Sequence, residues 1–210
     1  MPRLAGQIDV AKNEAILDAT LDVFIDRGAG ASMEEIARRA GVSKQTIYNH
    51  YGSKGDLVRA ICARRVHELT AALDAPGALE QPEETVAAYG RALLKNLLNA
   101  RSIAFMRAAI SSAPAMPDLA QTYYEAGPRA SRRKFAEFLA AETRAGRLHC
   151  PDAMVAAETF SGMVFSMRQL AALLGVMKPL EDDEIDRIAR ESAVRFMRLF
   201  GDQVRPEGKP

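Results

Sequence analysis

The sequence predicts an all-α fold of about nine helices, with a three-helix head followed by a larger helical body. Three observations support this prediction. Apolar residues recur at helical spacing along most of the 210-residue chain. Gly and Pro interrupt these patterns where helices would end. Runs of alternating β-branched residues, which would indicate strands, are few.

The first predicted helix runs over about residues 10–27. Leu17, Leu21 and Phe24 follow the spacing of one buried helix face. The Gly-Ala-Gly sequence at 28–30 then ends this helix, because glycine adopts the positive φ that many helix ends require.

Two short helices are predicted next. Ser32 begins a capping box, in which it accepts a hydrogen bond from the Glu35 amide and the Glu35 side chain reaches back. The second helix ends at Gly41. Ser43 then caps a third helix over residues 44–51.

The fourth predicted helix begins near Lys54 and ends at about Leu73, and longer helices form the rest of the chain. Pro residues open two of them, as expected at a first helical turn, and Gly127-Pro128 predicts a kink in another. The predicted ranges are about 82–100, 103–111, 118–145, 151–174 and 181–200.

The spacing around Gly41 predicts a helix-turn-helix over residues 32–51. Ala37 allows close approach of the second helix, Gly41 turns the chain, and Ile47 anchors that helix to the core. A helical corner that binds no DNA is the alternative. The remaining side chains of the third helix favour DNA binding, because nearly all can donate hydrogen bonds to phosphates or base edges: Lys44, Gln45, Thr46, Tyr48, Asn49 and His50.

The charge of the chain is nearly balanced, with 28 Lys and Arg residues against 27 Asp and Glu. DNA contact is therefore expected from a local patch and not from a general basic coat. Residues 32–54 carry four basic and two acidic side chains. Because this charge is modest, we expect that affinity for DNA depends on two heads that are held at a fixed spacing and bind together.

The string SMEEIARRAGVSKQTIYNHY at 32–51, followed by Ser53-Lys54-Gly55-Asp56-Leu57, resembles the DNA-binding head of the TetR family. The resemblance is strong over about residues 9–69. It implies an all-helical homodimer whose third helices enter successive major grooves of a palindromic operator in double-stranded DNA.

The resemblance also implies roles for individual residues. Tyr51 stands where the family more often has Phe, and Gln45 where it often has a smaller residue; a glutamine there could read adenine through two hydrogen bonds. Tyr48, His50 and Lys54 match positions that hold phosphates, Gln45, Thr46 and Asn49 match positions that face bases, and Ser32 and Ser43 match helix starts that meet the DNA backbone.

Beyond residue 75 the resemblance weakens, although 123–129 and 160–163 are similar to the C-terminal domain of one TetR subgroup. We expect residues 75–205 to bind an effector and to dimerise. From Ala156 to Leu174, apolar residues step by four and three, as in a helix–helix seam, and the last helix has a matching stripe. The predicted dimer contacts are Phe160, Met163, Met167, Leu170, Ile188 and Phe196; core helices of a monomer are the alternative.

Aromatic and methionine side chains of the body are candidates for lining a pocket for a hydrophobic small molecule. Plain core packing is the alternative for each of them. The candidates are Phe105, Met106, Tyr123, Tyr124, Phe135, Phe138, Met163 and Phe165.

The predicted function is a homodimeric repressor that a small-molecule effector releases from its operator. An activator, or a regulator that senses no small molecule, stays open, and so does a helical adaptor that does not bind DNA. An enzyme is not expected, because the chain has no nucleophile, phosphate-loop or HExxH motif.

No cofactor or metal is expected either. Cys62 and Cys150 lie far apart and outside any CxxC motif, so we expect two buried or half-buried thiols, with a redox or metal role as the alternative. The three histidines lack ligand spacing. No apolar run approaches the roughly 20 residues of a membrane helix. The N-terminal sequence lacks the apolar run of a signal peptide. The protein is therefore expected in the cytoplasm.

Overall fold

The computed structural model describes residues 10–201, which are helical throughout most of their length, as predicted. Residue 9 of the predicted head and residues 202–205 of the predicted body lie outside this range. The helices are α1 (Val10–Arg27), α2 (Met33–Arg39), α3 (Lys44–His50), α4 (Lys54–Thr70), α5 (Pro82–Leu97), α6 (Ala100–Ser112), α7 (Pro117–Tyr124), α8 (Ala130–Arg144), α9 (Ala153–Phe165), α10 (Arg168–Leu174) and α11 (Asp182–Phe200).

Two of the predicted long helices are divided in the structure. A π-helical turn, Glu125–Arg129, joins α7 to α8 at the site of the predicted kink. The continuous helix predicted over 151–174 is wrong: α9 ends at Phe165, and the next residue, Ser166, has a φ of 46°, in the left-handed region that non-glycine residues rarely adopt. The apolar steps from Ala156 to Leu174 therefore do not share one helix.

The described chain forms two compact units, each made of two segments. Unit 1 consists of residues 10–65 and Ile103–Pro128, and unit 2 of Val66–Ser102 and 129–201. The predicted division into 9–69 and 75–205 left residues 103–128 with the body. In the structure these residues pack within the unit that contains the head, where Phe105 lies edge-on against Phe24 with ring centroids 6.4 Å apart.

Unit 1 has its own apolar core, to which α1, α2, α3 and α4 contribute. Polar contacts also tie α4 and the end of α3 to α1. Arg64 pairs with Asp18 over 3.0 Å and with Glu14, and the Tyr51 hydroxyl donates to the Asn13 side chain. Burial raises the pKa of Tyr51. The fully covered side chains include Ile16, Leu21, Ile36, Ile47, Leu57 and Ile61.

Unit 2 is built around buried aromatic rings. Tyr89 of α5 stacks on Phe135 of α8, with ring centroids 4.4 Å apart, and its hydroxyl lies 2.9 Å from Ser131 Oγ. Phe160 of α9 packs against Phe196 of α11 at 5.4 Å. Burial raises the pKa of Tyr89 to about 12, so the ring and its hydroxyl both act as parts of the core.

Three further observations concern membrane-spanning helices, metal sites and the two cysteine thiols. Within residues 10–201, no helix has both the length and the apolar content that crossing a bilayer requires. Over the same range, His, Cys, Asp and Glu side chains form no group suited to hold a metal ion. Cys62 and Cys150 are unpaired and buried, as predicted.

Candidate DNA-binding surface

The turn between α2 and α3 is a compact helix-ending motif. Val42 N donates to Ala37 O over 3.1 Å, and Gly41 N donates to Arg38 O over 3.3 Å. This pair of bonds requires a left-handed residue after the helix, and Gly41 supplies it with a φ of +66°. The glycine that the sequence singled out therefore turns the chain from α2 into α3.

The start of α2 is capped by Ser32, whose Oγ accepts a hydrogen bond from Glu35 N at 3.2 Å. This is the first half of the predicted capping box. The Glu35 carboxylate lies 3.4 Å from Arg27 Nε and 3.7 Å from Arg38. Glu35 thus links α2 to the end of α1.

The start of α3 is capped by Ser43. Its Oγ accepts from Thr46 N at 3.0 Å and lies 2.8 Å from Thr46 Oγ1. Ile47 is fully buried and anchors the helix. The remaining predicted contacts of α3 are exposed, and they are Lys44, Gln45, Tyr48, Asn49 and His50. The structure therefore gathers the predicted DNA-binding residues of this helix on one accessible surface, where Thr46 alone is partly covered.

Two of the residues predicted to face bases contact each other. Gln45 Nε2 donates to Asn49 Oδ1 over 2.7 Å, one helical turn away. A side-chain pair at this spacing is supported by helix geometry.

The cationic side chains between residues 32 and 54 all have partners within unit 1. The count of basic residues therefore overstates the attraction of this segment for phosphates, because three of the four cations form ion pairs and an ion pair cancels much of the field of its cation. The partners are Glu34 for Lys44, Glu35 for Arg38 at 3.7 Å, Asp26 for Arg39 at 2.6 Å, and the Ala31 carbonyl for Lys54 at 3.1 Å.

These contacts also shift acid–base equilibria. The hydrogen bond from Lys44 lowers the pKa of Glu34, and the same bond raises the pKa of Lys44. The bond to Asp26 raises the pKa of Arg39. Both shifts of the Lys44–Glu34 pair and the shift of Arg39 favour the charged forms of these three side chains.

The predicted pocket residues are divided between the two units. Phe105 and Tyr123 lie together in unit 1, where Tyr124 is exposed and Met106 is half-buried. Phe135 and Phe138 are buried in the core of unit 2, against which Met163 and Phe165 pack. Phe105 and Tyr123 line a common cavity in unit 1.

That cavity lies between α1, α4, α6 and α7. Its volume, including the part open to solvent, is about 320 Å³, but its enclosed part has room for little more than a water molecule. Ser112 and Tyr123 supply the two hydroxyls of a lining that is otherwise apolar. Sequence reasoning missed Phe24 and Val58, which follow the ordinary core pattern of α1 and α4. The lining is Phe24, Val58, Phe105, Ala108, Ala109, Ser112, Met116, Leu119, Ala120 and Tyr123.

The predicted dimer contacts need correction. Phe160, Ile188 and Phe196 are buried by their own chain in the core of unit 2, so a second copy cannot reach them. Met163 is half-buried, whereas Met167 and Leu170 are 68% and 48% exposed. Other exposed apolar side chains of this region are Val155, Leu174, Val176, Val194 and Leu199.

A short, capped helix that is anchored by a buried isoleucine and exposes hydrogen-bond donors is the recognition element of helix-turn-helix proteins. The fold and this surface together define the class of helix-turn-helix transcriptional regulators.

Comparison with known families identifies the group within this class. The family model described as bacterial regulatory proteins, tetR family, matches residues 16–61. The model described as AefR-like transcriptional repressor, C-terminal domain, matches residues 84–202. The chain therefore belongs to the TetR family of transcriptional regulators, with an N-terminal DNA-binding domain.

Solved structures resemble the chain over nearly its whole length. A TetR-family regulator from Mesorhizobium loti superposes with a TM-score of 0.74 at 26% identity, covering 92% of this chain and 100% of that chain. The flavonoid-responsive regulator FrrA superposes with a TM-score of 0.70 at 28% identity, covering 92% and 98%.

Curated relatives match over shorter stretches. The transcriptional activator FasR of Mycolicibacterium smegmatis is 49% identical over 55 residues, which cover 26% of this chain and 25% of the relative. The transcriptional repressor Rv3405c of Mycobacterium tuberculosis is 34% identical over 95 residues, covering 45% and 50%. The chain thus spans between a quarter and half of the length of these relatives.

Proposed function

We propose that this chain is a homodimeric repressor that binds a palindromic operator and is released from it by a small apolar molecule. The observation that carries DNA recognition is α3 itself. Ser43 caps this helix, Ile47 anchors it, and its other side chains are turned toward solvent with hydrogen-bonding groups that suit phosphates and base edges.

Within this proposal, some residues of the surface position the protein on the DNA backbone and others recognise the base sequence. Tyr48, His50 and Lys54 hold phosphates, and Ser32 and Ser43 meet the DNA backbone at the starts of α2 and α3. The hydrogen bond from Lys54 to the Ala31 carbonyl supports such a role, because it fixes the ammonium and leaves two of its protons for a phosphate. Gln45, Thr46 and Asn49 read base edges.

Repression is favoured over activation by the extent of the matches. The AefR-like repressor domain covers residues 84–202, whereas the match to the activator FasR covers only 55 residues. The sign of regulation depends on where the operator lies relative to the promoter. An activator is therefore the second candidate, and a transcription assay on the selected operator separates the two.

A second copy of the chain is proposed to cover the exposed apolar side chains of unit 2. Met167, Leu170 and Leu174 follow helical spacing of three and four at the start of α10 and along it, so they share one face. Burying three such side chains removes apolar surface from water and favours association. Dimerisation would set the distance between two α3 helices at about 34 Å, one turn of DNA.

Effector binding is proposed at the cavity in unit 1. Because the cavity admits little more than water, a larger apolar molecule must push its lining helices apart. Two of these helices, α1 and α4, share the apolar core of unit 1 with Ile47 of α3. A ligand that needs this expansion therefore favours a conformation other than the one that binds DNA, and the coupling is reciprocal.

Selection from a pool of duplexes with a randomised centre tests the proposal. The full chain should enrich two inverted half-sites with centres about 10 base pairs, or a multiple of one turn, apart. A pool that remains random after repeated rounds contradicts sequence-specific binding. Apolar compounds are then titrated against the selected duplex, and a compound that binds the protein without changing its DNA affinity contradicts the coupling.

A further inference from the structure

The first residue of α3 is held by an acidic residue of α2. Lys44 forms an ion pair with Glu34, and the Lys44 Nζ lies 5.8 Å from the centroid of the Tyr48 ring. Both members of the pair remain accessible, since their side chains are 60% and 55% exposed. DNA approaching α3 therefore meets a lysine that already has a counterion.

This lysine is the only permanent positive charge on the recognition helix, whose sequence is KQTIYNH. The other acidic residue of α2 is engaged differently, because Glu35 contacts Arg27 and Arg38 and is only 22% exposed. Glu34 alone thus neutralises the permanent charge of α3.

We propose that Glu34 restrains sequence-independent DNA binding by holding Lys44. Nonspecific affinity comes almost entirely from cations that replace the counterions of phosphates, and Lys44 contributes little while Glu34 neutralises it. Operator binding also draws on base contacts, which Glu34 does not weaken. Loss of the Lys44 charge therefore removes a larger share of the binding free energy on random DNA than on the operator, and the inference rests on the proposed role of α3 as the recognition helix.

The test compares the wild-type chain with Glu34→Gln on a fluorescent random-sequence duplex of about 30 base pairs, long enough for two successive major-groove contacts. Affinity is measured by anisotropy across a salt series. For each α3 on the duplex, we expect the slope of log K against log salt to steepen by about 0.9, which corresponds to roughly eightfold tighter binding at 0.1 M salt.

Glu191→Gln is the matched control, because it removes the same charge from α11 in unit 2, where Glu191 pairs with Arg187 and Arg195. Its affinity for the random duplex should stay within about twofold of wild type. Thermal unfolding by circular dichroism confirms that both variants fold, as expected for changes at exposed side chains.

Lys44→Gln and the double variant complete a cycle that isolates the pair. If Glu34 acts through Lys44, Glu34→Gln should have little effect once Lys44 is replaced. An equal gain with and without Lys44, or a Glu34→Gln variant that matches Glu191→Gln, overturns the inference while leaving DNA binding intact. A wild-type chain that shows no salt-dependent binding to any duplex overturns the proposed function and this inference together.

Discussion

Gln45 and Asn49 are joined by a hydrogen bond of 2.7 Å from the Gln45 amide nitrogen to the Asn49 amide oxygen. The bond leaves the Gln45 oxygen and the Asn49 nitrogen available to a base edge. Adenine presents one acceptor, N7, and one donor, N6–H, in the major groove. The pair can therefore read a single adenine jointly, instead of each side chain reading its own base.

Replacement of Gln45 by Ala should relax base preference at one position of each half-site. The loss is expected to be about 1–3 kcal/mol of discrimination, and Asn49 loses the partner that orients it. Selection with the variant measures the change. Gln121→Ala, an exposed glutamine of α7 that donates to Glu125, is the matched control. An operator preference identical to wild type would refute base reading by Gln45.

Replacement of Ser43 by Ala should weaken the start of α3. Loss of the bond from Thr46 N costs about 1 kcal/mol of unfolding free energy, which denaturant titration measures. Ser53→Ala is the control, because Ser53 caps the next helix by accepting from Asp56 N at 3.2 Å. We expect similar losses of stability in both variants, but a larger loss of DNA affinity for Ser43→Ala. Equal DNA affinities would argue against a role for the α3 start in DNA contact.

Replacement of Gly41 by Ala should destabilise the turn without any steric clash. No atom lies within 4 Å of a Cβ at this position, but its φ is +66°, which costs a non-glycine residue about 1–2 kcal/mol. Gly30→Ala is the control, since that position is equally open and lacks a positive φ. We expect a lower melting temperature for Gly41→Ala only. Equal melting temperatures would show that the turn accommodates alanine without a loss of unfolding free energy.

Replacement of Leu170 by Glu should dissociate the proposed dimer. A carboxylate placed in an apolar interface must be desolvated without a partner, so a shift toward monomer is expected in analytical ultracentrifugation at micromolar concentration. Ile110→Glu is the control, because Ile110 is similarly exposed but belongs to unit 1. A wild-type chain that sediments as a monomer at this concentration would contradict the homodimer.

The Cys62 thiol should be nearly inert in the folded protein. Burial raises its pKa to about 12, so at pH 8 only about one molecule in ten thousand carries the reactive thiolate. In a Cys150→Ser variant, a thiol reagent should label the unfolded chain within minutes and the folded chain orders of magnitude more slowly. Comparable rates in the two states would show that the thiol is accessible, which would reopen a redox role.

The elements that depend on local sequence were predictable. The bounds of α1, the Ser43 cap of α3 and the turn at Gly41 each follow from residues close together in the chain. The break at Ser166 was not predictable, because the residues around it continue the apolar helical pattern and no Gly or Pro marks the position.

The exposed residues of the candidate DNA-binding surface were predictable, but the ion pairs formed by its basic side chains were not. The exposure of α3 follows from the burial of Ile47, which the spacing indicated. The partner of Arg39 lies 13 residues earlier, on α1, and tertiary structure alone brings the two together. The count of four basic residues therefore overestimated the attraction of this surface for phosphates.

The discontinuity of unit 1 bears on the order of synthesis and on the design of hybrid regulators. Phe105 and Tyr123 pack together with ring centroids 5.6 Å apart, and Phe105 covers Phe24 in α1. A ribosome must therefore complete about half of the chain before the N-terminal core is closed. A chimaera spliced between residues 69 and 75 would inherit foreign side chains against Phe24, so a transplant of DNA specificity should carry residues 103–128 with it.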